Sequence, residues 1–296
     1  MNKSFTLIEI LVVIVVIGTL SAFVLVGMNS ITNSANIAKA KAFVDSLDNS
    51  LLLARVSQWK LDETSGVTAN DSWGINNGTW SDGGLGIYTS PSWRTSSECV
   101  SNGCIALDGT DDRIMVPDSD TLDTINAITI SIWIKPNNSI RDIINKWNGV
   151  GFYSYALSGG TGAVTRIHIS QDGTNYNSYL GSKAIPLNSF NHLVVSFTNQ
   201  KINFYLNGIF DVERIASQTS IYPSTTEIRI GGSRIVGYFD GLFDDVRIYN
   251  QVLSTSQIEQ IYFIGLNKLF QNQGITLIEF NQRLGEIKSN LSQTGF

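Results

Sequence analysis

Glu9 has the least ordinary surroundings of any residue in this sequence. It stands in an otherwise apolar run from Phe5 to Met28, preceded by Met1-Asn2-Lys3-Ser4. A run of about 20 apolar residues is long enough to cross a bilayer core as a helix. A carboxylate inside it costs about 2.5–3.5 kcal/mol near the helix centre and less near an interface, so Glu9 asks for a cationic partner. Few other residues can do chemistry. Cys99 and Cys104 stand close together. In an exported chain such a pair reads as a disulfide, closing a loop so short that chain entropy contributes about 2 kcal/mol. His168 and His192 are the only histidines, and neither has a Cys or second His at metal-ligand spacing. Acidic residues gather at Asp108, Asp111, Asp112, Asp118, Asp120 and Asp123; their spacing is not that of an EF-hand loop, and they read as a solvated acidic loop. Trp73, Trp80, Tyr88, Trp93 and Trp147 fall in loop-like stretches, where ring faces can stack on apolar faces of a ligand.

Catalysis lacks its residues. Cleaving a glycosidic bond takes two carboxyl groups across it, and the adjacent Asp244 and Asp245 point to opposite faces of a strand. No enzymatic activity is expected. A formal charge of −5, with 15% charged residues and no basic run, excludes a typical nucleic-acid binder.

These residues need elements to hold them. After Met28, Ile37, Ala40, Val44, Leu47, Leu51 and Ala54 recur at helical spacing. No proline interrupts Phe5 to Ala54, so one continuous helix of about 75 Å is allowed. The period then changes to two. Ala127–Ile134 sets four isoleucines on one side and Thr129, Ser131 and Trp133 on the other, the pattern of a half-buried strand. Thr165–Ser170, His192–Thr198, Ile202–Leu206, Glu227–Ile230 and Asp244–Tyr249 alternate likewise. Asp108-Gly109, Asp172-Gly173, Asn207-Gly208 and Gly231-Gly232 supply turns. Short strands without intervening helices predict an antiparallel sandwich. Ser254 caps a helical stripe of Ile258, Ile261, Tyr262, Leu266, Leu269 and Phe270. Thr276 caps another, of Phe280, Leu284, Ile287 and Leu291. The fold class is therefore mostly β: a long N-terminal helix, a β-sandwich (jelly roll) and a short C-terminal helical hairpin. The segments are 1–4, 5–28, 29–55, 56–253 and 254–296.

Two resemblances follow. Lys3-Ser4 before Phe5-Thr6-Leu7-Ile8-Glu9 and an apolar helix resembles the leader of type IV pilins and pseudopilins. That resemblance implies cleavage between Ser4 and Phe5 by a prepilin peptidase, methylation of the new Phe5 amine, and assembly through Phe5 and Glu9. Where the family usually has Gly before the cut, this chain has Ser4. Glu9 lies four residues from that amine, one helical turn on. In a bundle, the amine of one subunit can also meet the Glu9 of its neighbour, which gives subunits a register. Lys3 on one side and Lys39 and Lys41 on the other leave the positive-inside rule undecided. The resemblance and the cysteine pair put the C-terminal part outside.

Trp59-Lys60-Leu61-Asp62-Glu63, Leu107-Asp108-Gly109, Ile130–Pro136, Asn191-His192-Leu193-Val194, Phe204–Gly208 and Phe239–Asn250 are similar, in order, to laminin-G-like jelly-roll domains. That superfamily, with the concanavalin-like lectins and glucanases, implies glycan or protein binding. Its glucanases carry a Glu-x-Asp-x-x-Glu run that this sequence lacks. The fold it implies pairs the first and last strands. Setting Tyr249 opposite Trp59 then brings Asp244 towards Asp71 and Asn76, as oxygen ligands for a structural calcium. The expected protein is a pilin-like subunit, minor or at the tip, with an adhesive head. It would sit in the bacterial cytoplasmic membrane before assembly and in a surface filament after. The alternative is an anchored binding module that does not polymerise. Expected partners are the peptidase, other pilin subunits and their assembly machinery, the membrane, and a glycan or surface protein.

Overall fold

A computed structural model describes residues 54–82, 92–233 and 237–293. The expected leader, membrane segment and amphipathic stretch as far as residue 53, with Phe5 and Glu9, lie outside the described residues, as does Tyr88. Among the described residues, no helix is long and apolar enough to cross a membrane.

The alternating stretches form strands of two antiparallel sheets. The first runs β14 (Ile209–Ile215), β13 (Lys201–Leu206), β12 (Asn191–Thr198), β7 (Ala127–Pro136), β16 (Asp240–Tyr249), β5 (Gly103–Asp108) and β4 (Ser92–Thr95), with β1 (Arg55–Trp59) also on β16. The second runs β11 (Tyr176–Ala184), β10 (Val164–Ser170), β9 (Tyr153–Gly159), β8 (Asp142–Trp147), β15 (Ile228–Ile230), β6 (Asp112–Val116), β3 (Gly78–Asp82) and β2 (Thr68–Ala69). Their inward faces make one core, in which Ile128, Ile130, Ile132 and Ile134 of β7 join Tyr155, Leu157, Ile167, Ile169 and Ile228. Each such aliphatic side chain contributes about 1.5–3 kcal/mol by leaving water. Asn207 and Gly208 join β13 to β14 with φ of +54° and +75°, the left-handed pair that suits a tight hairpin.

Three expectations change. β7 is buried on both faces, not one. The reason is the C-terminal hairpin, α1 (Thr255–Gln271) and α2 (Leu277–Gln293). Ser254 caps α1: its Oγ accepts from the Gln257 N–H at 3.2 Å, and Gln257 Oε1 accepts from the Ser254 N–H at 2.8 Å. Tyr262, Leu266 and Leu269 then pack with Trp133, Phe190, Val100 and the two cysteines. Gly265 makes the approach possible, since a Cβ there would lie 2.4 Å from Trp133 Cζ2. Among the described residues, the hairpin thus covers the outer face of the first sheet, and no helix lies on that of the second. Second, Arg55 begins β1 instead of ending the helix expected to residue 55. Third, Trp59 lies opposite Val246, and it is Arg55 that faces Tyr249. The β1–β16 ladder also carries a bulge between Arg55 and Ser57, and the β16–β7 ladder one around the left-handed Asp245 (φ +48°).

Candidate functional site

The second sheet carries a groove of about 380 Å³ on its outer face. Strand alternation places its side chains. In β9, Tyr155 and Leu157 enter the core while Ala156 turns outward to line the groove. In β10, Ile167 and Ile169 are core and His168 is outward. In β8 plain alternation puts Asn145 and Trp147 on the groove side, while opposite them the ladder passes over Ser154, which turns Tyr153 to the same side as Ala156. Lys146 is buried and binds Asp118 at 2.5 Å and Asp123 at 2.9 Å, while Trp147 turns to the groove. The turn holding Gly149 (φ +85°) and Gly151 (φ +91°) brings Tyr153 opposite Trp147. Their rings stack at 4.2 Å and 20°. Tyr176 stands edge-on to Trp147 at 4.8 Å and to His168 at 5.4 Å.

Polar groups close the site. Asn145 donates Nδ2–H to the Gly232 carbonyl at 3.0 Å and has no protein partner for Oδ1. His168 Nδ1 is 2.7 Å from Ser178 Oγ. Burial, reinforced by Arg166, lowers its pKa to about 4, so it is neutral at neutral pH. Burial raises the Asp142 carboxyl to about 6, against the pull of a Ser233 hydrogen bond and of Arg166 and Arg141. Among the described residues lining the groove, Asp142 is the one carboxylate. Aromatic faces beside one carboxylate and amide groups suit a ligand with apolar C–H faces and hydroxyl edges.

The residues singled out in the sequence are dispersed. Asp71 and Asn76 do meet: Asp71 Oδ2 accepts from the Asn76 N–H at 3.0 Å, and Oδ1 accepts from the N–H groups of Gln58, Trp73 and Gly74 at 2.9, 3.1 and 2.9 Å. Asp244 does not join them. Asp71 bridges Trp59 at one edge of β1, and β16 lies at the other. The shifted register sets Asp244 instead on the loop between Cys99 and Cys104, which are bonded as expected. Its Oδ2 accepts from the Val100 and Ser101 N–H groups at 2.8 and 3.0 Å. Burial raises its pKa well above the usual carboxylate range. Asp62 holds the same loop through the Gly103 N–H, at 3.0 Å. The acidic stretch divides: Asp108, Asp111 and Asp112 bring carboxylate oxygens within 4.8 Å of one another, whereas Asp118 and Asp123 are paired with Lys146.

Of the described loop aromatics, Trp147 alone lines the groove. Trp80 is core, Trp93 packs against the core, and Trp73 donates Nε1–H to the Arg55 carbonyl. His192 is buried, stacked on Trp133 at 5.1 Å, with Nε2 2.8 Å from Ser131 Oγ. Asp142, Asn145, Tyr153 and Tyr176 escaped the sequence reading. The signal was Trp147 and Tyr153 flanking Asn148-Gly149-Val150-Gly151, a hairpin with an aromatic on each arm.

Comparison with known proteins gives a consistent picture. The model of the concanavalin A-like lectin/glucanases superfamily matches residues 108–259, and that of the prokaryotic N-terminal methylation motif matches residues 1–25. A curated relative, adhesion G-protein coupled receptor V1 of Danio rerio, is 29% identical over an alignment of 143 residues that covers 45% of this chain and 2% of the receptor. Domain 4 of AbnA, a GH43 extracellular arabinanase of Geobacillus stearothermophilus solved with arabinotriose, is 20% identical with a TM-score of 0.56, over 71% of this chain and 98% of that one. The binding domain of Paraclostridial Mosquitocidal Protein 1 is 16% identical with a TM-score of 0.57, over 73% of this chain and 53% of that one. The botulinum neurotoxin serotype D binding domain is 14% identical with a TM-score of 0.55, over 74% and 53%. At these identities the likeness is one of fold. This chain belongs to the concanavalin A-like lectin/glucanase superfamily and carries the type IV pilin N-terminal methylation motif.

Proposed function

We propose that the protein is a type IV pilin-like subunit, minor or at the filament tip, whose head binds glycan through the groove of the second sheet. The observation that carries the binding half is the wall of Trp147, Tyr153 and Tyr176 beside Asp142 and Asn145. Sugar rings present C–H faces to aromatic planes and hydroxyls to carboxylates and amides. A stacked aromatic of this kind contributes about 0.5–1.5 kcal/mol beyond its buried area. The arabinanase domain was solved with arabinotriose, which makes that trisaccharide a first probe. Trp147→Ala should weaken oligosaccharide binding about tenfold or more. Binding that ignores Trp147 would remove the groove from the account.

The filament half rests on residues 1–25. Prepilin peptidase cleaves between Ser4 and Phe5, the new amine pairs with Glu9, and the subunit passes from the cytoplasmic membrane into a surface fibre. Glu9→Gln is then expected to lower incorporation, and wild-type incorporation of that variant would contradict the role. Ser4, in place of the family's usual Gly, favours a second reading, in which the leader stays and the head remains a tethered binding module.

A further inference from the structure

We propose that Asp142 makes the groove select uncharged glycans, accepting a ligand hydroxyl and turning acidic sugars away; this rests on the glycan reading above. At neutral pH Asp142 is the one charged side chain among the described residues lining the groove, because His168 is neutral there. Among the described residues, the nearby cations lie outside the lining. Arg166 gives its Nε–H to Ser158 Oγ at 3.1 Å, and Arg141 precedes β8. Arg113 donates to the Ser233 carbonyl at 3.0 Å and to Tyr238 Oη at 2.8 Å. Asp142 is seated by backbone: its N–H donates to the Gly237 carbonyl at 2.9 Å, and a Cβ on Gly237 would lie 2.7 Å from its Oδ2.

An ionised carboxylate accepting a sugar hydroxyl makes a hydrogen bond about twice as strong as a neutral one. The same charge about 6 Å from a uronate or sialate carboxylate repels it, and in a groove open to water this amounts to about tenfold in affinity. A carboxylate among aromatics also suits a quaternary ammonium. The ring geometry favours the sugar: Trp147 and Tyr153 lie face to face at 4.2 Å, so each covers a face of the other and they present a platform rather than a cage. Protonation of Asp142, raised by burial to about 6, should erase the discrimination in mild acid.

The test uses the full chain in detergent, with arabinotriose and cellotriose as neutral probes, trigalacturonate as the acidic probe and choline as the cationic one. At about pH 7.5, wild type should prefer the neutral sugars by about tenfold, and Asp142→Asn should close that gap chiefly by gaining trigalacturonate. Wild type at about pH 5 should show a reduced gap, which needs no variant to fold. Trp147-dependent binding of both sugar classes with equal affinity overturns this proposal and leaves the glycan reading standing. So does a gap that Asp142→Asn leaves intact. Choline bound more tightly than any sugar overturns it as well. No Trp147-dependent sugar binding overturns both.

Discussion

Gly265→Ala and Gly285→Ala make the same chemical change on the two helices of one hairpin, and they should move stability in opposite directions. A Cβ on Gly285 meets nothing within 4 Å, so alanine there contributes only its helix propensity, about 1 kcal/mol over glycine. A Cβ on Gly265 falls 2.4 Å from Trp133 Cζ2, 2.7 Å from Cε2 and 2.8 Å from Nε1. The indole cannot swing aside. It is stacked on Tyr262 at 5.4 Å and on His192 at 5.1 Å, and is 1% exposed. α1 must lift instead, which opens the layer of Tyr262, Leu266 and Leu269. Overpacking costs about 1–3 kcal/mol, and so close an approach lies at the upper end. Offset by about 1 kcal/mol of helix propensity, the net loss is about 2 kcal/mol. In a domain of this size each kcal/mol moves Tm by about 2–4 °C. Calorimetry on the full chain in detergent should therefore show a fall of about 4–8 °C for Gly265→Ala and a rise of about 2–4 °C for Gly285→Ala. A Gly265→Ala protein as stable as wild type would refute the seating of the hairpin on Trp133. With it would go the reason that, among the described residues, the second sheet is the one without a helix.

Other outcomes follow from the same geometry. His192 is buried, and desolvation chiefly, with Arg247, lowers its pKa to about 3. The unfolded chain takes that proton near pH 6.5, so this stability is whole above 6.5 and is lost as pH falls, to about 3 kcal/mol by pH 4. His192→Phe keeps the stack and loses the titration. It should start about 1 kcal/mol below wild type at neutral pH, from the lost Ser131 bond, and overtake wild type on acidification, standing about 2 kcal/mol above it by pH 4; parallel Tm profiles would contradict the assignment. Replacing Cys99 and Cys104 together by alanine should cost about 2 kcal/mol in denaturant titration, with more if the loop lets go of Asp244. EDTA should leave Tm unmoved, because the oxygens of Asp71 and Asp244 are already held by N–H groups. A fall of several degrees, abolished by Asp111→Asn, would assign an ion to Asp108, Asp111 and Asp112.

The strands legible in the sequence were those whose alternation is clean and whose ends carry turn pairs, such as β7, β10, β12 and β13. β8 was not, because Lys146 interrupts its apolar run. Only the fold shows that Asp118 and Asp123, some 25 residues earlier, neutralise that lysine. The outward face of β7 reads as solvent-facing, since Thr129 and Ser131 are polar; the partner that buries it lies in the C-terminal helices. The calcium set depended on a strand register that β1 and β16 do not adopt, since Trp59 pairs with Val246 and not with Tyr249. Asp244 accordingly sits on the disulfide loop and not beside Asp71. The groove stayed hidden for a related reason. Trp147 was visible as an aromatic, but its companions Tyr153, His168 and Tyr176 come from three other strands, and choosing the open face required knowing which face the hairpin covers.

The intact mass of the protein recovered from sheared surface filaments tests the central claim most directly. The account predicts a chain that begins at Phe5, bears a methyl on its amine and lacks the two hydrogens of the Cys99–Cys104 bond. A chain that still begins at Met1, confined to membranes and absent from every filament preparation, would contradict it.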